Sequence, residues 1–256
     1  MWPRLFRPVQ LVFETATLSA PGGRVDNEDA VGYRMAKSSG CWALADGLGG
    51  HRGGAVASRL AVDAAISSFE ADPSVTGEAL NTHLLRANRA VLDRQTAEPE
   101  LAHMRTTIVM LIASAEAAMW AHAGDSRLYW FRDGKIREQT LDDSVPQRLV
   151  AAGEISADQI RFHEDRSKLL NSLGGREQVT ASQREMTPAP GDAFLLASDG
   201  FWECVTESEM EEDLGAARSS EAWIGRMEAR VKERAAADHD NYSAIAVRVL
   251  KKKGRA

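Results

Sequence analysis

Cysteine is scarce in this 256-residue chain, which contains only Cys41 and Cys204. The two residues lie far apart in the sequence, and neither belongs to a CxxC pair. A disulfide scaffold and a zinc site built from thiolates are therefore both excluded. Such cysteine usage is typical of proteins in a reducing compartment, and we expect a cytoplasmic location.

An excess of positive charge is also missing. Lysine and arginine together number 31, whereas aspartate and glutamate number 37, so the formal net charge is −6. Proteins that bind nucleic acid depend on basic side chains to neutralise phosphates. The composition therefore argues against a nucleic-acid partner.

Long apolar runs are absent as well. The longest one, residues 108–113, is far too short to cross a bilayer. In residues 1–13, Pro3 and Pro8 interrupt the chain before an apolar run of signal-peptide length develops. We therefore expect no signal peptide and no association with a membrane.

The chain nevertheless has the material for a core, because 44% of its residues are hydrophobic and 27% are charged. This composition excludes disorder for the bulk of the chain. Short apolar runs with alternating or β-branched residues predict about ten strands. They lie at residues 10–17, 30–34, 41–45, 106–113, 117–123, 127–131, 135–139, 179–185, 192–197 and 242–249.

Turns and helices between these runs indicate how the strands pair. The Asp133-Gly134 pair between two runs is typical of a two-residue hairpin turn, which predicts antiparallel pairing. Helical periodicity predicts helices at residues 54–69, 77–95 and 208–237, the last weakened at Gly215 and Gly225. Helix pairs followed by several strands are typical of an α+β fold in which helices cover antiparallel sheets.

The polar segment 142–175 differs from its surroundings. It contains a short helical pattern at residues 145–152 and a capping-box signature formed by Ser156 and Gln159. We predict that this segment is a flap inserted between strands of a single domain, which comprises residues 1–256.

Four aspartates stand at the ends of predicted strands beside small residues. Asp46, Asp125 and Asp199 follow apolar runs, and Asp240 comes just before the last run. In an antiparallel sheet the end of one strand lies beside the start of its neighbour, so these carboxylates can meet at one edge. For each Asp-Gly pair alone a simple turn is the commoner explanation. The prediction therefore depends on all four positions together.

A cluster of carboxylates without lysine or arginine repels itself unless a cation sits among them. All the ligands on offer are oxygen atoms, which favours Mg²⁺ or Mn²⁺ over Zn²⁺ or Cu²⁺. The sequence therefore predicts a divalent metal site at this edge.

Arg24 precedes a further acidic pair, Glu28-Asp29, in a glycine-rich approach to a strand. Its planar guanidinium can present two parallel donors to a phosphoryl group. A surface arginine paired with Asp26 or Glu28 is equally consistent with the spacing. Both interpretations stay open at this point.

Other catalytic patterns fit less well. The glycine-rich run 46–54 does not match a dinucleotide loop, because Arg52 takes the place of the third glycine. His51 in that run is either a proton donor near the acids or a structural residue of the turn. Ser126 and Ser198 lack the GxSxG turn and a positioned histidine, which argues against a serine nucleophile.

Six motifs occur together in one order. They are Arg24 with Asn27-Glu28-Asp29, Ala45-Asp46-Gly47-Leu48-Gly49-Gly50, Thr106-Thr107, Gly124-Asp125-Ser126-Arg127, Ala197-Ser198-Asp199-Gly200 and Asp240-Asn241-Tyr242-Ser243. In order and spacing they resemble the metal-dependent (PPM, or type 2C) protein serine/threonine phosphatases of the bacterial type. The resemblance covers residues 9–249. It implies a four-layer α-β-β-α sandwich of two antiparallel sheets flanked by helices.

The resemblance also implies a binuclear Mg²⁺ or Mn²⁺ site. By motif, Asp46 would bridge both ions, and Asp199 and Asp240 would hold the first. Glu28 and the carbonyl of Gly47 would serve the second ion, partly through water. These five residues are the implied ligands of the two tightly bound ions.

Further roles follow from the same resemblance. Arg24 would bind the phosphate of the substrate. Asp125, together with Asp199, resembles the ligands of a weaker third metal ion in bacterial members. The flap, residues 142–175, corresponds to the segment that shapes the approach of the substrate.

Three positions depart from the family pattern. Leu48 stands where animal members have a histidine proposed as the general acid, which leaves His51 as the candidate proton donor. Arg105 replaces the glycine usual before the paired threonines. Asp143 stands in the flap where many bacterial relatives have histidine.

The implied reaction is hydrolysis of phosphoserine and phosphothreonine. A water that bridges two metal ions would attack phosphorus in line, without a phosphoenzyme. The implied partners are a phosphorylated protein and an opposing serine/threonine kinase. The segment Ser144-Val145-Pro146-Gln147 resembles phosphatases associated with bacterial type VI secretion, which adds components of that system as candidate partners.

Two other functions are compatible with the same residues. A phosphoprotein-binding module would keep the fold without catalysis, although the presence of Asp46, Asp199 and Asp240 argues against it. A metal-dependent hydrolase of nucleotides or small phosphate esters would use the same site chemistry.

Overall fold

Two antiparallel sheets form the centre of the molecule. The computed structural model describes residues 10–48, 53–175 and 184–252. In the first sheet the strands are, in spatial order, β1 (Leu11–Ala20), β11 (Tyr242–Lys251), β10 (Ala193–Ala197), β7 (Arg127–Arg132) and β8 (Lys135–Gln139). In the second they are β2 (Asp29–Met35), β3 (Ser39–Leu48), β5 (Ile108–Ser114), β6 (Ala118–Ala123) and β9 (Arg184–Met186), and β4 (Arg105–Thr106) pairs with β3.

Helices cover the outer face of each sheet. Helices α1 (Gly53–Ala71) and α2 (Gly77–Ala97) pack on the second sheet, and α3 (Val145–Ala152) lies in the polar segment 142–175. Helices α4 (Asp199–Trp202), α5 (Glu207–Ala216) and α6 (Ser220–Arg234) pack on the first sheet. Within the described ranges, every helix is too short or too polar to cross a bilayer.

The alternation of side chains along β3 explains the stacking of layers. Cys41, Ala43 and Ala45 belong to the apolar cluster shared with α1 and α2. Trp42 and Leu44 point the other way, into the apolar layer between the two sheets. Because both faces of the central strands are buried, each sheet needs a helix layer outside. The predicted α+β, four-layer α-β-β-α sandwich is confirmed.

Local signals in the sequence also account for two turns. Asp133 and Gly134 have φ angles of 56° and 72°, as a primed hairpin turn requires, and β7 pairs with β8. In the segment 142–175, Ser144 caps α3, and the capping box of Ser156 and Gln159 begins a 3₁₀ helix at Ala157–Phe162. The hairpin, the short helix at residues 145–152 and the capping box are therefore confirmed.

The predicted helix 208–237 is in fact two helices. The first helix, α5, ends just after Gly215. The second, α6, begins where the Ser219 side chain accepts a hydrogen bond from the backbone N–H of Ala222. Gly225, the other expected weak point, lies inside α6 without interrupting it.

Two further elements differ from the sequence prediction. The expected strand 106–113 is divided into β4 and β5 at Thr107, whose backbone N–H donates to the carbonyl of Asp46 at 2.8 Å. The four-residue helix α4 was not predicted. Of the expected strand 179–185, residues 179–183 lie outside the described residues, and β9 begins at Arg184.

Candidate active site

Most of the predicted site residues line one cleft, at the edge where strands of both sheets end. The cleft has a volume of about 390 Å³, and its walls include Arg24, Glu28, Asp46, Gly47, Asp199 and Asp240. Asp125 is buried close to Asp46 and Asp199 but does not line the cleft. The candidate proton donor His51 lies outside the described residues.

The carboxyl groups of Asp46 and Asp199 lie close enough in this cleft to affect each other's pKa. Burial raises the pKa of Asp46 well above its usual range, and the negative charges of Asp199 and Asp29 raise it further. Burial also raises the pKa of Asp199, with the charge of Asp240 as the next cause. Two carboxyl groups in contact cannot both ionise without a nearby cation. This pair is therefore suited to a divalent ion.

Asp29 is a third acid of the same cluster, and sequence analysis named it only as a neighbour of Glu28. Burial raises its pKa to about 7, against the lowering effect of hydrogen bonds from Ser243 and Ser198. The Ser198 hydroxyl donates to its Oδ2 at 2.9 Å. The negative charges of Asp199 and Asp240 add to the rise in pKa. Asp29 thus adds a further buried acid to the group around Asp46 and Asp199.

Thr106 and Thr107 hold the backbone of Asp46, a role that sequence analysis did not identify. The Thr107 hydroxyl accepts the Asp46 N–H at 2.9 Å and lies 2.7 Å from the hydroxyl of Ser126. The Thr106 hydroxyl donates to the Asp46 carbonyl at 2.7 Å. Because all four groups are buried or nearly so, they fix where the Asp46 side chain leaves β3.

Arg24 pairs with neither of the acids that its spacing suggested. Its Nη2 atom lies 3.1 Å from Oδ2 of Asp240, and both side chains are about half exposed. An exposed ion pair of this kind contributes little to stability. A phosphate in the cleft can therefore replace Asp240 as the partner of the guanidinium.

Asn241 fixes the loop that carries Arg24. Its Nδ2 atom donates to the carbonyls of Pro21 and Asp26, and its Oδ1 atom accepts the N–H of Glu28 at 2.8 Å. Gly22, at φ 61°, lets the loop approach β11, because a Cβ there would lie 2.2 Å from the Asp240 carbonyl oxygen. The guanidinium is thus presented from a clamped loop.

Glu28 and Gly47 face each other across the start of α1. The Gly47 N–H donates to the Glu28 carbonyl at 3.1 Å, and the Ser58 hydroxyl donates to the same oxygen at 2.5 Å. The Glu28 carboxylate lies so close to Gly54 that a Cβ there would be 2.5 Å from Oε2. Gly54 therefore leaves room for this carboxylate, and Gly47 leaves room for the backbone of Gly54, since a Cβ at Gly47 would lie 2.2 Å from the Gly54 carbonyl oxygen.

The turn after β6 places Asp125 near the other acids. Burial raises the pKa of its carboxyl well above the usual range, and the charges of Asp199 and Asp142 raise it further. Arg127 opposes these effects only in part. Asp125 and Asp199 are therefore close enough to repel each other.

The donors at this edge fit hydrated Mg²⁺ or Mn²⁺. In residues 10–48, 53–175 and 184–252, no group of three or more His, Cys, Asp or Glu side chains is placed to hold an ion by itself. Mg²⁺ commonly takes only one or two carboxylates from a protein and keeps several waters. The groups present are carboxylates and a backbone carbonyl, which are hard oxygen ligands. A site of paired acids completed by water is what they can build.

Comparison with known proteins agrees with this chemistry. The family model described as Protein phosphatase 2C matches residues 24–240. The chain is 36% identical over 209 residues to the serine/threonine protein phosphatase PstP of Mycobacterium tuberculosis. That alignment covers 80% of this chain but only 40% of PstP. The chain therefore spans less than half the length of this relative.

Solved structures have the same fold. The catalytic domain of PstP, determined in complex with two manganese ions, has a TM-score of 0.80 and 29% identity, covering 94% of this chain and 100% of that one. PppA, described as a key regulatory component of T6SS in Pseudomonas aeruginosa, has a TM-score of 0.74 and 30% identity, covering 93% and 98%. With a family match over most of its length, this chain belongs to the protein phosphatase 2C (PPM) family.

Proposed function

We propose that this chain is a Mg²⁺- or Mn²⁺-dependent protein serine/threonine phosphatase, formed by a single domain with residues 142–175 as its flap. One observation carries the proposal: the Asp46–Asp199 carboxyl pair and the Arg24 guanidinium line the same cleft. The pair offers oxygen donors to a divalent ion, and the guanidinium offers parallel donors to a phosphate. A phosphate monoester between them would meet both.

Two ions would be held around Asp46. Asp199 and Asp240 would complete the first position, and Glu28 with the Gly47 carbonyl the second. Asp46 is the shared ligand because it contacts Asp199 on one side and belongs to the same strand as Gly47 on the other. When bound, the ions supply an acidified water and neutralise the negative charge that develops on the phosphoryl group.

The residues of the chain itself bind and orient the substrate. Arg24 holds the phosphate in one orientation, because its loop is clamped by Asn241. Thr106 and Thr107 hold Asp46 at a fixed place under that phosphate. Fixing these groups before the substrate arrives is how such a site lowers the barrier. No protein nucleophile is needed for this reaction.

Two minor roles complete the proposal. Asp125 and Asp199 would hold a weaker third ion. Leu48 lines the cleft where a histidine would stand in animal members, so His51 is proposed as the proton donor to the leaving oxygen. His51 lies outside the described residues, and its role stays a hypothesis.

The proposed partners are a phosphorylated protein and the serine/threonine kinase that opposes this enzyme, both in the cytoplasm. A role in type VI secretion is supported by the likeness to PppA and by the sequence from Ser144 to Gln147. In the structure Ser144 caps α3 and Pro146 lies in its first turn, so this segment also has a structural role.

Hydrolysis of a phosphothreonine peptide in the presence of Mn²⁺ tests the proposal. We expect release of phosphate that EDTA abolishes and excess Mn²⁺ restores, and no release by Asp46→Asn. Binding of the peptide without hydrolysis would instead favour a phosphoprotein-binding module. Faster hydrolysis of nucleotides than of phosphopeptides would favour a hydrolase of small phosphate esters.

A further inference from the structure

Trp202 connects Asp199, which lines the cleft, with Asp125, which is buried beside it and is far away in sequence. It lies at the end of α4, the helix that begins with Asp199, and its indole is buried, with 1% of its surface exposed. The indole Nε1–H donates to the backbone carbonyl of Asp125 at 3.0 Å. One short helix therefore carries Asp199 into the cleft and holds the main chain of Asp125.

Two arginines hold the indole in place. The guanidinium carbon of Arg127 lies 3.4 Å from the ring centroid, and that of Arg161 lies 5.4 Å from it. Arg127 is itself buried and donates to both carboxylate oxygens of Asp142, at 2.7 and 2.8 Å. Arg161 donates to both carboxylate oxygens of Glu207 at 2.7 Å. A ring stacked against two anchored cations has little freedom to rotate.

The turn that Trp202 holds has a second contact, with Asp143. Gly124, the residue before Asp125, has a φ of 105°, a conformation that residues other than glycine rarely adopt. The N–H of Gly124 donates to Oδ2 of Asp143 at 3.2 Å, and its carbonyl accepts the Asp143 N–H at 2.9 Å. Asp143 thus fixes the Gly124 peptide units, and the Asp125 carbonyl is fixed by Trp202.

We propose that Trp202 is a positioning residue of this phosphatase: its indole N–H holds Asp125 at the distance from Asp199 at which the two carboxylates share the weaker third metal ion. This inference rests on the proposed function and extends it. Arg127, anchored by the first residue of the flap, and Arg161, within the flap, keep the indole in that orientation. Residues of the flap therefore influence the position of the third ion through the Trp202 indole.

Trp202→Phe removes the N–H donor and keeps an aromatic ring under the arginines. Calorimetric titration with Mn²⁺ should show two tight sites unchanged and a weak site whose Kd rises about fivefold to tenfold, as expected for the loss of one hydrogen bond. With a phosphothreonine peptide, kcat should fall while KM stays the same. An unchanged weak-site Kd would overturn the proposal.

Trp223→Phe is a matched control. Trp223 is also fully buried in the same apolar cluster, and its Nε1–H donates to a backbone carbonyl, that of Met210, at 3.1 Å. The control should lower the melting temperature as Trp202→Phe does, without changing the weak-site Kd. An equal change of Kd in both variants would show a general loss of packing and overturn the proposal.

A double variant separates positioning from structural support. In Asp125→Asn the third site is already impaired, so adding Trp202→Phe should lower kcat no further. A further fall by the factor seen in the parent would show that Trp202 acts elsewhere and overturn the proposal. If the parent did not hydrolyse the phosphopeptide, the proposed function would fail, and the Mn²⁺ titration alone would still decide the role of Trp202.

Arg161→Gln offers a second route if Trp202→Phe does not fold. It removes the more distant cation from the ring and leaves the indole N–H intact. The weak-site Kd should rise about twofold to threefold, in keeping with one cation–π contact. An unchanged Kd would contradict the proposal that Arg161 keeps the indole in its orientation.

Discussion

Buried aspartate side chains have different partners in two regions of the molecule. Beneath α6, the Asp213 side chain, 1% exposed, accepts hydrogen bonds from Arg226 at 3.0 Å and Arg230 at 2.7 Å. At the cleft, the partner of the Asp46 carboxyl is another carboxyl, that of Asp199. The first arrangement is complete within the protein, whereas in the second two carboxyl groups meet and the charges of Asp29, Asp125 and Asp240 add to the repulsion.

This difference indicates what each group of acids is for. An acid neutralised by arginine stabilises the fold, and removing Asp213 takes away an ion-pair partner from both Arg226 and Arg230. Acids crowded together destabilise the metal-free fold and gain stability only when a cation binds. Changes in the two regions should therefore have opposite effects on activity and on stability.

The largest expected difference is between Asp46→Asn and Asp213→Asn. We expect Asp46→Asn to lower kcat/KM with a phosphopeptide by at least about 10³-fold, because it removes the ligand that we propose both ions share. Asp213→Asn should keep full activity and lower Tm by about 5 °C or more. Steady-state kinetics and thermal unfolding of both variants check this. Loss of activity in Asp213→Asn alone would reverse the assignment of the two regions.

Arg24 tests whether a cation at the cleft serves the substrate or the acids. Arg24→Ala should raise KM for a phosphopeptide about tenfold to a hundredfold, as expected for lost charge-assisted hydrogen bonds. Mn²⁺ affinity should change little, because the pair with Asp240 is exposed. Kinetics and Mn²⁺ calorimetry on the same preparation separate the two effects. An unchanged KM with lost Mn²⁺ binding would remove Arg24 from the substrate role.

Asp125 tests the proposed distinction between two tight metal positions and a weaker third one. Asp125→Asn should leave two Mn²⁺ ions tightly bound and lower kcat about tenfold, since it affects only the weaker third ion. Calorimetry with Mn²⁺ gives the number of tight sites. Loss of both tight ions would show that Asp125 belongs to the binuclear site itself.

A further expected effect is on the pH dependence of stability without metal. Because the folded pKa of Asp29 is about 7 and the unfolded value is near 3.8, the native state binds the proton more tightly. Stability in EDTA should therefore decrease as pH rises from about 4 to about 7. Asp29→Asn should weaken this decrease, which thermal unfolding at several pH values measures.

Glu209 provides the opposite sign for comparison. Hydrogen bonding by Arg234 lowers the pKa of Glu209 to about 2, so its contribution to stability is present above its usual pKa and is lost as pH falls from there. The free energy of unfolding of Glu209→Gln should therefore decrease less at acidic pH than that of the parent.

For Asp29, the contradicting outcome is a steeper decrease of stability between about pH 4 and 7 in Asp29→Asn than in the parent. It would show that burial does not raise the pKa of Asp29.

The sequence was sufficient to find the acids that end or begin strands. Asp46, Asp199 and Asp240 each follow or precede a short apolar run beside a small or polar residue, and that local pattern survives in the fold. The α+β sandwich was predictable for the same reason, since alternation along strands such as β3 is a local signal.

Residues that act through long-range hydrogen bonds could not be found in this way. Thr107 is 61 positions from Asp46, and Asn241 is 213 positions from Glu28. Neither contact leaves a periodic trace in the sequence. The partner of Arg24 was missed for the same reason, because Asp240 is 216 positions away and reaches it only when β11 pairs with β1.

Thermal unfolding of the parent and of Asp46→Asn, each in EDTA and in Mn²⁺, is the most direct measurement of whether this edge is a metal site. In EDTA, Asp46→Asn should melt above the parent, because one of two crowded acids is neutral. In Mn²⁺ the parent should gain several degrees and the variant little or nothing. Equal stabilisation of both proteins by Mn²⁺ would contradict the assignment of Asp46 as the shared ligand.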